Sequence, residues 1–325
     1  MRAITYDRYT DASGLELTDE PKPTPAADQV LIRVAAASLN ALDWHSYGGD
    51  PYFWRLEAGL RVKERRTVGA DVAGVVEAVG AEVDSLAVGD RVFGEVSGSL
   101  ADYVLGKPTH LARIPDGVSD EAAAATPVAG LTALQSLRDT VELKQGESVI
   151  VWGASGGVGH LAVQVAAALG AADVHGVCST ANVAMVESCG ASRVYDYTKG
   201  ETPDGPYDVI VDTVVTTSNR AAKKILTDAG RLVVIGAVGG SKMFGPVGGM
   251  LRRMIGGKFV RLDARGMLAK PNTADLEVLG AWLADGSLKP AISDTVPLAD
   301  APAALARVAD GHVAGKIVVR VAELG

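Results

Sequence analysis

Short hydrophobic runs, separated by glycine and acidic residues, characterise the chain from Val30 to about Val104. The runs VLIRVAAA, GADVAGVVEAVG and GDRVFGEV contain many β-branched residues and show little helical periodicity. Runs of this kind, bounded by turn-forming residues, are typical of β-strands. This part of the chain therefore predicts a β-rich first domain.

The pattern becomes helical at EAAAATPVAGLTALQSLRDT. Ser119 is a suitable N-cap for this segment. Pro127 should interrupt the helix, because proline lacks a backbone donor and clashes with the preceding turn. We place a domain boundary at this change of pattern, near Ala125.

Strand-like and helix-like segments alternate in the next part of the chain. SVIVWGA predicts a buried strand, GGVGHLAVQVAAALG a helix and ADVHGVCS a second strand, and MVESCGAS, RVYDY, DVIVDTV and RLVVIGA continue the alternation. Strands that alternate with helices in this way form a parallel sheet. The tail predicts a helix in PLADAPAALARVADG, ending at Gly311, and a strand in GKIVVRVAEL that returns to the first domain.

The composition favours a cytoplasmic protein that acts on a small molecule. The 325 residues suffice for two domains, and the net charge of −8 argues against a surface for nucleic acid or anionic lipid. The sequence shows no secretion signal after Met1 and no run of about 18 uncharged apolar residues, so we expect a soluble protein. Cys178 and Cys189 are the only cysteines, which favours a reducing compartment.

Residues 154–159 spell ASGGVG, the dinucleotide-binding pattern G-x-G-x-x-G with alanine in the first place. The strand-like VIVW before it and the helix-like segment after it provide the context that this pattern requires. Gly156 would let the backbone approach a pyrophosphate, and Gly159 would let the helix lie close to the sheet. The segment predicts nucleotide binding; a glycine-rich helix start used only for packing is the alternative.

The choice between NADPH and NADH depends on the end of the second strand. Asp173, which follows the glycines in the chain, precedes this strand instead of ending it, so it is not placed to bind a ribose 2′-hydroxyl. Ser179 and Thr180 stand at the strand end and leave room for a 2′-phosphate, which favours NADPH. NADH stays possible, because Ala181 and Val183 offer no cation for that phosphate.

A polar cluster opens an aromatic segment in the first domain. The stretch SLNALDWH at 38–45 places Asn40, Asp43 and His45 close together. A metal site, a metal-free proton-handling site and a polar loop are the three interpretations. The aromatic residues nearby fit either a stacked, conjugated substrate or a hydrophobic cluster under the loop. They are Trp44, Tyr47, Tyr52, Phe53 and Trp54.

Eight segments carry a family resemblance that covers nearly the whole chain: SLNALDW, VGADVAGVVEAVG, VGDRVFG, GSLADYV, PVAGLTALQSL, GASGGVG, GASRVYDYT and GHVAGKIVV. In this order they resemble the medium-chain dehydrogenase/reductase superfamily, in its zinc-independent quinone oxidoreductase-like branch. The resemblance implies an α/β fold, with a Rossmann doubly wound parallel sheet domain formed by 126–291. It also implies a β-rich GroES-like domain formed by 1–125 and 292–325, and a homodimer.

The resemblance implies a site without metal. Zinc-dependent relatives carry a cysteine at the position of Asn40, and a histidine and a glutamate where Ala70 and Asp71 stand. Two of these three ligands are replaced by groups that cannot take their place, and two cysteines are too few for a structural zinc site. His45 stands where some zinc enzymes keep a proton-relay histidine; a surface histidine is the alternative.

The resemblance also implies a set of cofactor contacts, carried over by motif. These place one residue at the nicotinamide, the glycine turn at the pyrophosphate, three residues around the adenosine 2′ position, and the rest along the groove. For Tyr197 and Lys316, a packed aromatic ring and a solvated strand-end cation are the alternatives. In that order, the predicted residues are Thr132; Ser155, Gly156, Gly157, Val158 and Gly159; Ser179, Thr180 and Tyr197; and Val214, Gly236, Ala237 and Lys316.

Without a metal, hydride transfer needs another group to stabilise charge on the receiving oxygen. The Asn40 amide, at the position of a zinc ligand, is the candidate; a structural amide that holds the loop is the alternative. Asp43 is better suited to orienting that loop by accepting backbone hydrogen bonds than to transferring protons. Tyr47 or Tyr52 could donate the proton that follows hydride addition, as could solvent.

The resulting hypothesis is an NADPH-dependent reductase, with NADH possible, that transfers hydride to a quinone or an α,β-unsaturated carbonyl. An enoyl-thioester or polyketide-type enoyl reductase is one alternative. A nucleotide-binding sensor or structural protein without significant turnover is another. Residues 245–257, GPVGGMLRRMIGG, predict a mobile lid, a partner surface or a solvated loop.

Overall fold

The computed structural model describes residues 1–50, 55, 59, 61–215, 217–235 and 245–322. The strands are β1 (Arg2–Tyr6), β2 (Glu16–Asp19), β3 (Val30–Ser38), β4 (Arg66–Thr67), β5 (Asp71–Val79), β6 (Arg91–Glu95), β7 (Tyr103–Gly106), β8 (Leu111–Arg113), β9 (Ser148–Trp152), β10 (Asp173–Cys178), β11 (Arg193–Asp196), β12 (Tyr207–Asp212), β13 (Leu226–Ile235), β14 (Asp263–Met267), β15 (Ile292–Pro297) and β16 (Lys316–Arg320). The helices are α1 (Ala41–Gly48), α2 (Asp120–Ala124), α3 (Pro127–Gln135), α4 (Gly159–Ala168), α5 (Val183–Ser188), α6 (Asn219–Lys224), α7 (Gly245–Phe259), α8 (Thr273–Asp285) and α9 (Ala301–Ala309).

The first compact unit is built on a seven-stranded sheet in the order β15–β16–β3–β5–β6–β8, with β7 also paired to β3. The C-terminal strand β16 runs antiparallel to β3, with Val318 opposite Ser38. The predicted return of the tail to the first domain is therefore confirmed. Alternate residues of β3, among them Ile32, pack with Ile317 and Val319 of β16 in one buried core, as expected for strands with one face turned inward.

The second compact unit contains a six-stranded sheet in the order β11–β10–β9–β12–β13–β14. All five neighbouring pairs are parallel, so the predicted parallel sheet is confirmed. Val149, Ile150 and Val151 of the central strand β9 are all fully buried. Consecutive buried residues are typical of a parallel strand that is covered on both faces.

The division between the two units differs from the predicted domain bounds. Residues 126–131 and 270–286, predicted as part of the Rossmann domain, cluster with the first unit. Helix α8 accounts for the second difference. Its Thr273 hydroxyl donates to the carbonyl of Pro108 at 3.0 Å, and its Gly280 lies beside Phe93, where a Cβ would be in ordinary contact with the ring at 3.5 Å.

The helix signals around the boundary are confirmed. The Ser119 hydroxyl accepts a hydrogen bond from the backbone N–H of Ala122 at 3.2 Å and caps α2. Helix α2 ends at Ala124, and α3 begins at Pro127, which occupies the first helical turn, where a missing N–H costs nothing. Proline therefore separates two helices here, as predicted.

Two segments for which a loop was one of the interpretations are helices. The polar cluster at 38–45 lies at the start of α1, with Asn40 as the N-cap residue. Residues 245–257 lie in α7, where Arg253 is buried and forms an ion pair with Asp212 at 2.6 Å. The solvated-loop interpretation of 245–257 is therefore wrong. Among the described residues, no helix combines the length and the apolar composition needed to cross a membrane.

Candidate active site

The glycine-rich turn predicted to bind a dinucleotide joins β9 to α4, and its first glycine is Gly153. Gly153 has a φ of 73°, in the left-handed region, and a Cβ there would lie 2.4 Å from Thr213 Oγ1. The pattern was predicted to begin at Ala154. The glycine that makes the tight turn thus lies one residue earlier, and the alanine in the first place is no defect of the motif.

The other two glycines of this turn have different surroundings. A Cβ on Gly159 would lie 2.0 Å from the carbonyl oxygen of Gly153, so only glycine allows α4 to start directly against the turn. The backbone N–H of Gly156 donates to the Gly153 oxygen at 2.9 Å. A Cβ on Gly156 would be 3.4 Å from that oxygen, which is ordinary contact. Close packing therefore explains why position 159 requires glycine. It does not explain the glycine at position 156.

Asn182 joins the phosphate turn to the end of β10. Its Nδ2 lies 3.2 Å from Ser155 Oγ and 3.3 Å from Ser179 Oγ. Ser155 was predicted at the pyrophosphate and Ser179 at the adenosine 2′ position. Asn182 therefore links these two predicted contacts. Sequence reasoning missed Asn182; the available signal was a polar residue just before α5, immediately after the second strand of the alternation.

A second group of polar residues lies where β10 and β11 end. The Thr180 hydroxyl donates to Asp196 Oδ2 and lies 2.8 Å from Thr198 Oγ1. Tyr197, predicted at the 2′ position, is exposed, so its alternative as a packed aromatic ring is wrong. Asp173 is the first residue of β10, at the opposite end of the strand, and it pairs with a histidine there. This position agrees with the prediction that Asp173 does not bind the ribose.

The turn after β12 carries Val214, another predicted groove residue. Asp212 Oδ1 accepts the backbone N–H groups of Val214 at 3.2 Å and Val215 at 2.8 Å. Val215 has a φ of 55°, which is unfavourable for a β-branched residue. Arg253 donates to the other oxygen of Asp212 at 2.6 Å. The buried ion pair thus holds this strained turn in place.

Three further residues, Thr132, Gly236 and Ala237, were predicted to contact the cofactor. Thr132 is buried in α3. Gly236 and Ala237 lie outside the described residues, as does the predicted proton donor Tyr52.

Asp71, the first residue of β5, is the centre of a buried hydrogen-bond network in the first unit. Its Oδ2 accepts from Asn40 Nδ2 at 2.8 Å and from Lys316 Nζ at 3.3 Å. Ser38 Oγ donates to the carboxylate at 3.2 Å, and the backbone N–H of Val128 donates at 2.8 Å. Val128 lies in the first turn of α3, where a negative charge is favourable. The side chains of Lys316 and Asp71 are 2% and 0% exposed, so the solvated-cation alternative for Lys316 is wrong.

Both polar atoms of the Asn40 amide are engaged in this network. Nδ2 donates to Asp71 and to the carbonyl of Ser38 at 3.3 Å, and Oδ1 accepts from Lys316 at 2.5 Å. Both amide hydrogens therefore have acceptors within the chain. This geometry favours the structural amide over an amide that donates to a substrate oxygen.

Asp43 and Tyr47 lie on the buried side of α1. Asp43 Oδ2 accepts the backbone N–H of Asn40 at 2.7 Å, the contact expected of a carboxylate that orients the start of the helix. Burial raises the pKa of Asp43 to about 7, with a smaller contribution from the nearby charge of Asp71. The Tyr47 ring belongs to the core of the first unit, and burial raises the pKa of its hydroxyl far above the ordinary value. A proton donor needs a lower pKa than this.

The remaining residues of the polar and aromatic cluster have structural contacts. His45 Nδ1 lies 2.7 Å from the carbonyl oxygen of Asp50, and its ring stacks on Trp44 with 3.8 Å between centroids. Trp44 packs against the hydrophobic core. Phe53 and Trp54 lie outside the described residues.

The carboxylates near Asp71 have a high proton affinity but do not form a metal centre. Burial raises the pKa of Glu95 to about 7, again assisted by the charge of Asp71. Within the part of the chain that the structure describes, no group of three or more His, Cys, Asp or Glu side chains could hold a metal ion.

Two family models match the chain: "Alcohol dehydrogenase GroES-like domain" at residues 26–116 and "Zinc-binding dehydrogenase" at residues 189–319. The chloroplast envelope quinone oxidoreductase homolog of Arabidopsis thaliana is 33% identical over 98% of both chains. The NADPH-dependent alkenal/one oxidoreductase of the same plant is 32% identical over 98% of this chain and 79% of its own length. The quinone oxidoreductase from Coxiella burnetii has a TM-score of 0.87 and 30% identity, with 99% of each chain covered.

A GroES-like domain and a parallel sheet with a glycine turn at a strand end define a class of nicotinamide-dependent oxidoreductases. Together with these similarities, they show that the chain belongs to the medium-chain dehydrogenase/reductase superfamily, in its quinone oxidoreductase-like branch. The predicted family and fold class are therefore confirmed.

Proposed function

We propose that the protein is an NADPH-dependent reductase that transfers hydride to a quinone or an α,β-unsaturated carbonyl without the help of a metal. The observation that carries the metal-free part is the Lys316 ammonium, which lies within hydrogen-bond distance of Asn40 and Asp71. These are two of the three positions that zinc ligands occupy in zinc-dependent relatives. A divalent cation at the same carboxylate would be repelled by this buried ammonium.

The residues of the second unit fit a dinucleotide. Gly153 makes the tight turn, Gly156 leaves the backbone open for a pyrophosphate, and Gly159 lets α4 start against the turn. Ser155 lies beside the pyrophosphate, and the residues around Ser179 hold the adenosine side. When bound, the nicotinamide supplies the hydride. The chain itself supplies binding, orientation and exclusion of water.

In the first unit, we propose that Asn40 is a positioning residue. Its amide is held by Lys316 and Asp71 and its backbone N–H by Asp43. The start of α1 is thereby fixed relative to β5 and β16. The proton that follows hydride addition then comes from solvent in our proposal, because the Tyr47 hydroxyl is buried in the core and has a raised pKa.

Purified protein treated with a chelator should oxidise NADPH when 1,4-benzoquinone, 9,10-phenanthrenequinone or a simple enone is added. NADPH should be preferred over NADH by at least about tenfold in kcat/KM, since a charge-assisted contact to the 2′-phosphate stabilises only the former. The measurement is the fall in absorbance of the reduced cofactor.

Three other outcomes would contradict the proposal. Activity that disappears with the chelator and returns with Zn²⁺ would show a metal-dependent enzyme. Oxidation only with an enoyl thioester would favour the enoyl reductase, and cofactor binding without oxidation by any acceptor would favour the sensor or structural protein.

We further propose a homodimer formed through the edge of the parallel sheet. Strand β14 is the last strand on its side in the described sheet, and α7 packs beside it. Leu251, Ile255 and Phe259 repeat at every fourth position of α7, and all three are exposed, Phe259 to 86%. An apolar row of this kind beside a free sheet edge is typical of an interface.

Replacing Phe259 with aspartate should shift the protein from dimer to monomer, because a charge would then have to be buried at the interface. The molar mass measured by light scattering during size-exclusion chromatography reports the change. The matched control is V88D, since Val88 is an exposed apolar residue of the first unit. A monomeric native chain, or equal effects of the two substitutions, would contradict this proposal.

A location in a reducing compartment such as the cytoplasm is also proposed. Cys178 and Cys189 are both unpaired, and burial raises the pKa of each thiol. Thiols with a raised pKa are poor nucleophiles and are suited to a structural role.

A further inference from the structure

Lys199 is an exposed cation at the end of β11, beside the predicted 2′ position of the cofactor. It is the last residue of the short helical turn Tyr197–Lys199, which Gly200 ends with a φ of 77°. Its ammonium lies 3.4 Å from Asp196 Oδ2, and its side chain is 62% exposed. The cation is therefore anchored at one oxygen and otherwise open to solvent.

The position of Lys199 relative to β10 follows from the sheet register. Cys178, the last residue of β10, lies opposite Asp196, the last residue of β11. Asp196 Oδ2 also accepts from the Thr180 hydroxyl. Thr180 and Lys199 thus share a single carboxylate oxygen, at the strand end where this fold places the adenosine ribose.

The charges at this strand end need to be considered together, because Asp196 would by itself oppose a phosphate. Its Oδ1 accepts from the hydroxyl of Thr198 at 2.6 Å and from the backbone N–H of Thr198 at 3.0 Å. These bonds and the one from Thr180 hold the pKa of Asp196 far below its usual range. Glu201 is the other nearby carboxylate, and its Oε2 accepts the backbone N–H of Asp196 at 2.9 Å. The Asp196 oxygens are thus held by donors within the chain, whereas the exposed side chain of Lys199 has room to turn towards an anion.

We propose that Lys199 is the cation that binds the 2′-phosphate of NADPH. Positions 181 and 183, which follow β10, carry alanine and valine and offer no cation for this phosphate. Lys199 supplies the positive charge from the end of β11 instead. In this proposal the Thr180 hydroxyl, which bonds to Asp196, and Asn182, which bonds to Ser179, hold the ribose. This inference rests on the proposed function, since it concerns the cofactor preference of the same site.

Binding measurements with cofactor fragments test the role of Lys199 without turnover. Calorimetry would compare NADPH, NADH, 2′,5′-ADP and 5′-ADP on the native protein and on K199Q. The substitution should weaken NADPH and 2′,5′-ADP by about 10- to 50-fold, the loss expected for one charge-assisted contact, and leave NADH and 5′-ADP unchanged. The conservative variant K199R should keep most of the NADPH affinity.

The matched control is K144Q, because Lys144 is an exposed lysine of the same unit that precedes β9, whereas Lys199 follows the end of β11, so the two lysines lie near opposite ends of the parallel strands. It should bind all four ligands as the native protein does. Equal losses for phosphorylated and unphosphorylated ligands, or no loss in K199Q, would overturn the inference. Tighter binding of NADH than NADPH by the native protein would also overturn it and assign the ribose 2′-hydroxyl to Asp196. Reductase activity with NADH would in that case leave the metal-free hydride transfer to a quinone or enone standing and overturn only the NADPH preference.

Discussion

Replacement of Asp71 by alanine is expected to lower the free energy of unfolding by about 3–5 kcal/mol. The Asp71 carboxylate is fully buried and accepts four hydrogen bonds, from Ser38, Asn40, Val128 and Lys316. Without it, the Lys316 ammonium would remain buried, and among the described residues it would keep the side-chain amide oxygen of Asn40 as its hydrogen-bond partner. An unpaired buried charge is among the most destabilising changes that a single substitution makes. Urea unfolding followed by circular dichroism measures the effect.

The control is D102A, which removes a carboxylate of the same unit from a surface ion pair with Arg2. It should cost about 1–2 kcal/mol, because the Arg2 side of the pair is exposed, although Asp102 also accepts the backbone N–H of Arg2 at 2.6 Å. The double variant D71A/K316M should be more stable than D71A alone by about 1–3 kcal/mol, since it also removes the stranded charge. If D71A and D102A cost the same, or if the double variant shows no recovery, the network does not have the role assigned to it.

The architecture was predictable because its signals are local. The central strands β9 and β12 are runs of mostly buried residues, α4 begins at Gly159, and α6 has Ser218 as its N-cap. Alternation then determines the direction of the strands. The boundary at α8 could not be predicted in the same way. Its apolar face fits either domain, and contacts such as Thr273 with Pro108, 165 positions apart, decide where it packs.

The candidate site was predictable only in part, for the same reason. The glycine turn and the residues at the end of β10 follow from neighbouring sequence, whereas the environment of Lys316 depends on Asp71, 245 positions away. No window of the sequence distinguishes a buried lysine from a solvated one. The helix α1 was missed because Asn40, Asp43 and His45 have low or moderate helix propensity, and the buried contacts of α1 outweigh it.

Replacement of Gly156 by valine is expected to weaken NADPH and NADH binding by about 100-fold or more while the protein stays folded. The nearest described atom to a Cβ at this position is the Gly153 oxygen at 3.4 Å, so the fold has room for a side chain. In a dinucleotide turn, however, this glycine lets the backbone approach the pyrophosphate. A branched side chain would hold the phosphates away from the backbone donors, and a loss of about 2.7 kcal/mol corresponds to that factor.

The comparison with G159A separates binding from packing. A Cβ on Gly159 would lie 2.0 Å from the Gly153 oxygen and 2.9 Å from Ala154 Cα, so this variant should lower the melting temperature by several degrees. G156V should keep the native melting temperature without cofactor and lose the rise that NADPH causes in the native protein. If G156V still binds NADPH normally, the glycines serve only to pack α4 on the sheet. In that case the nucleotide would have to bind elsewhere, because the turn from 153 to 159 would have no remaining role in holding it.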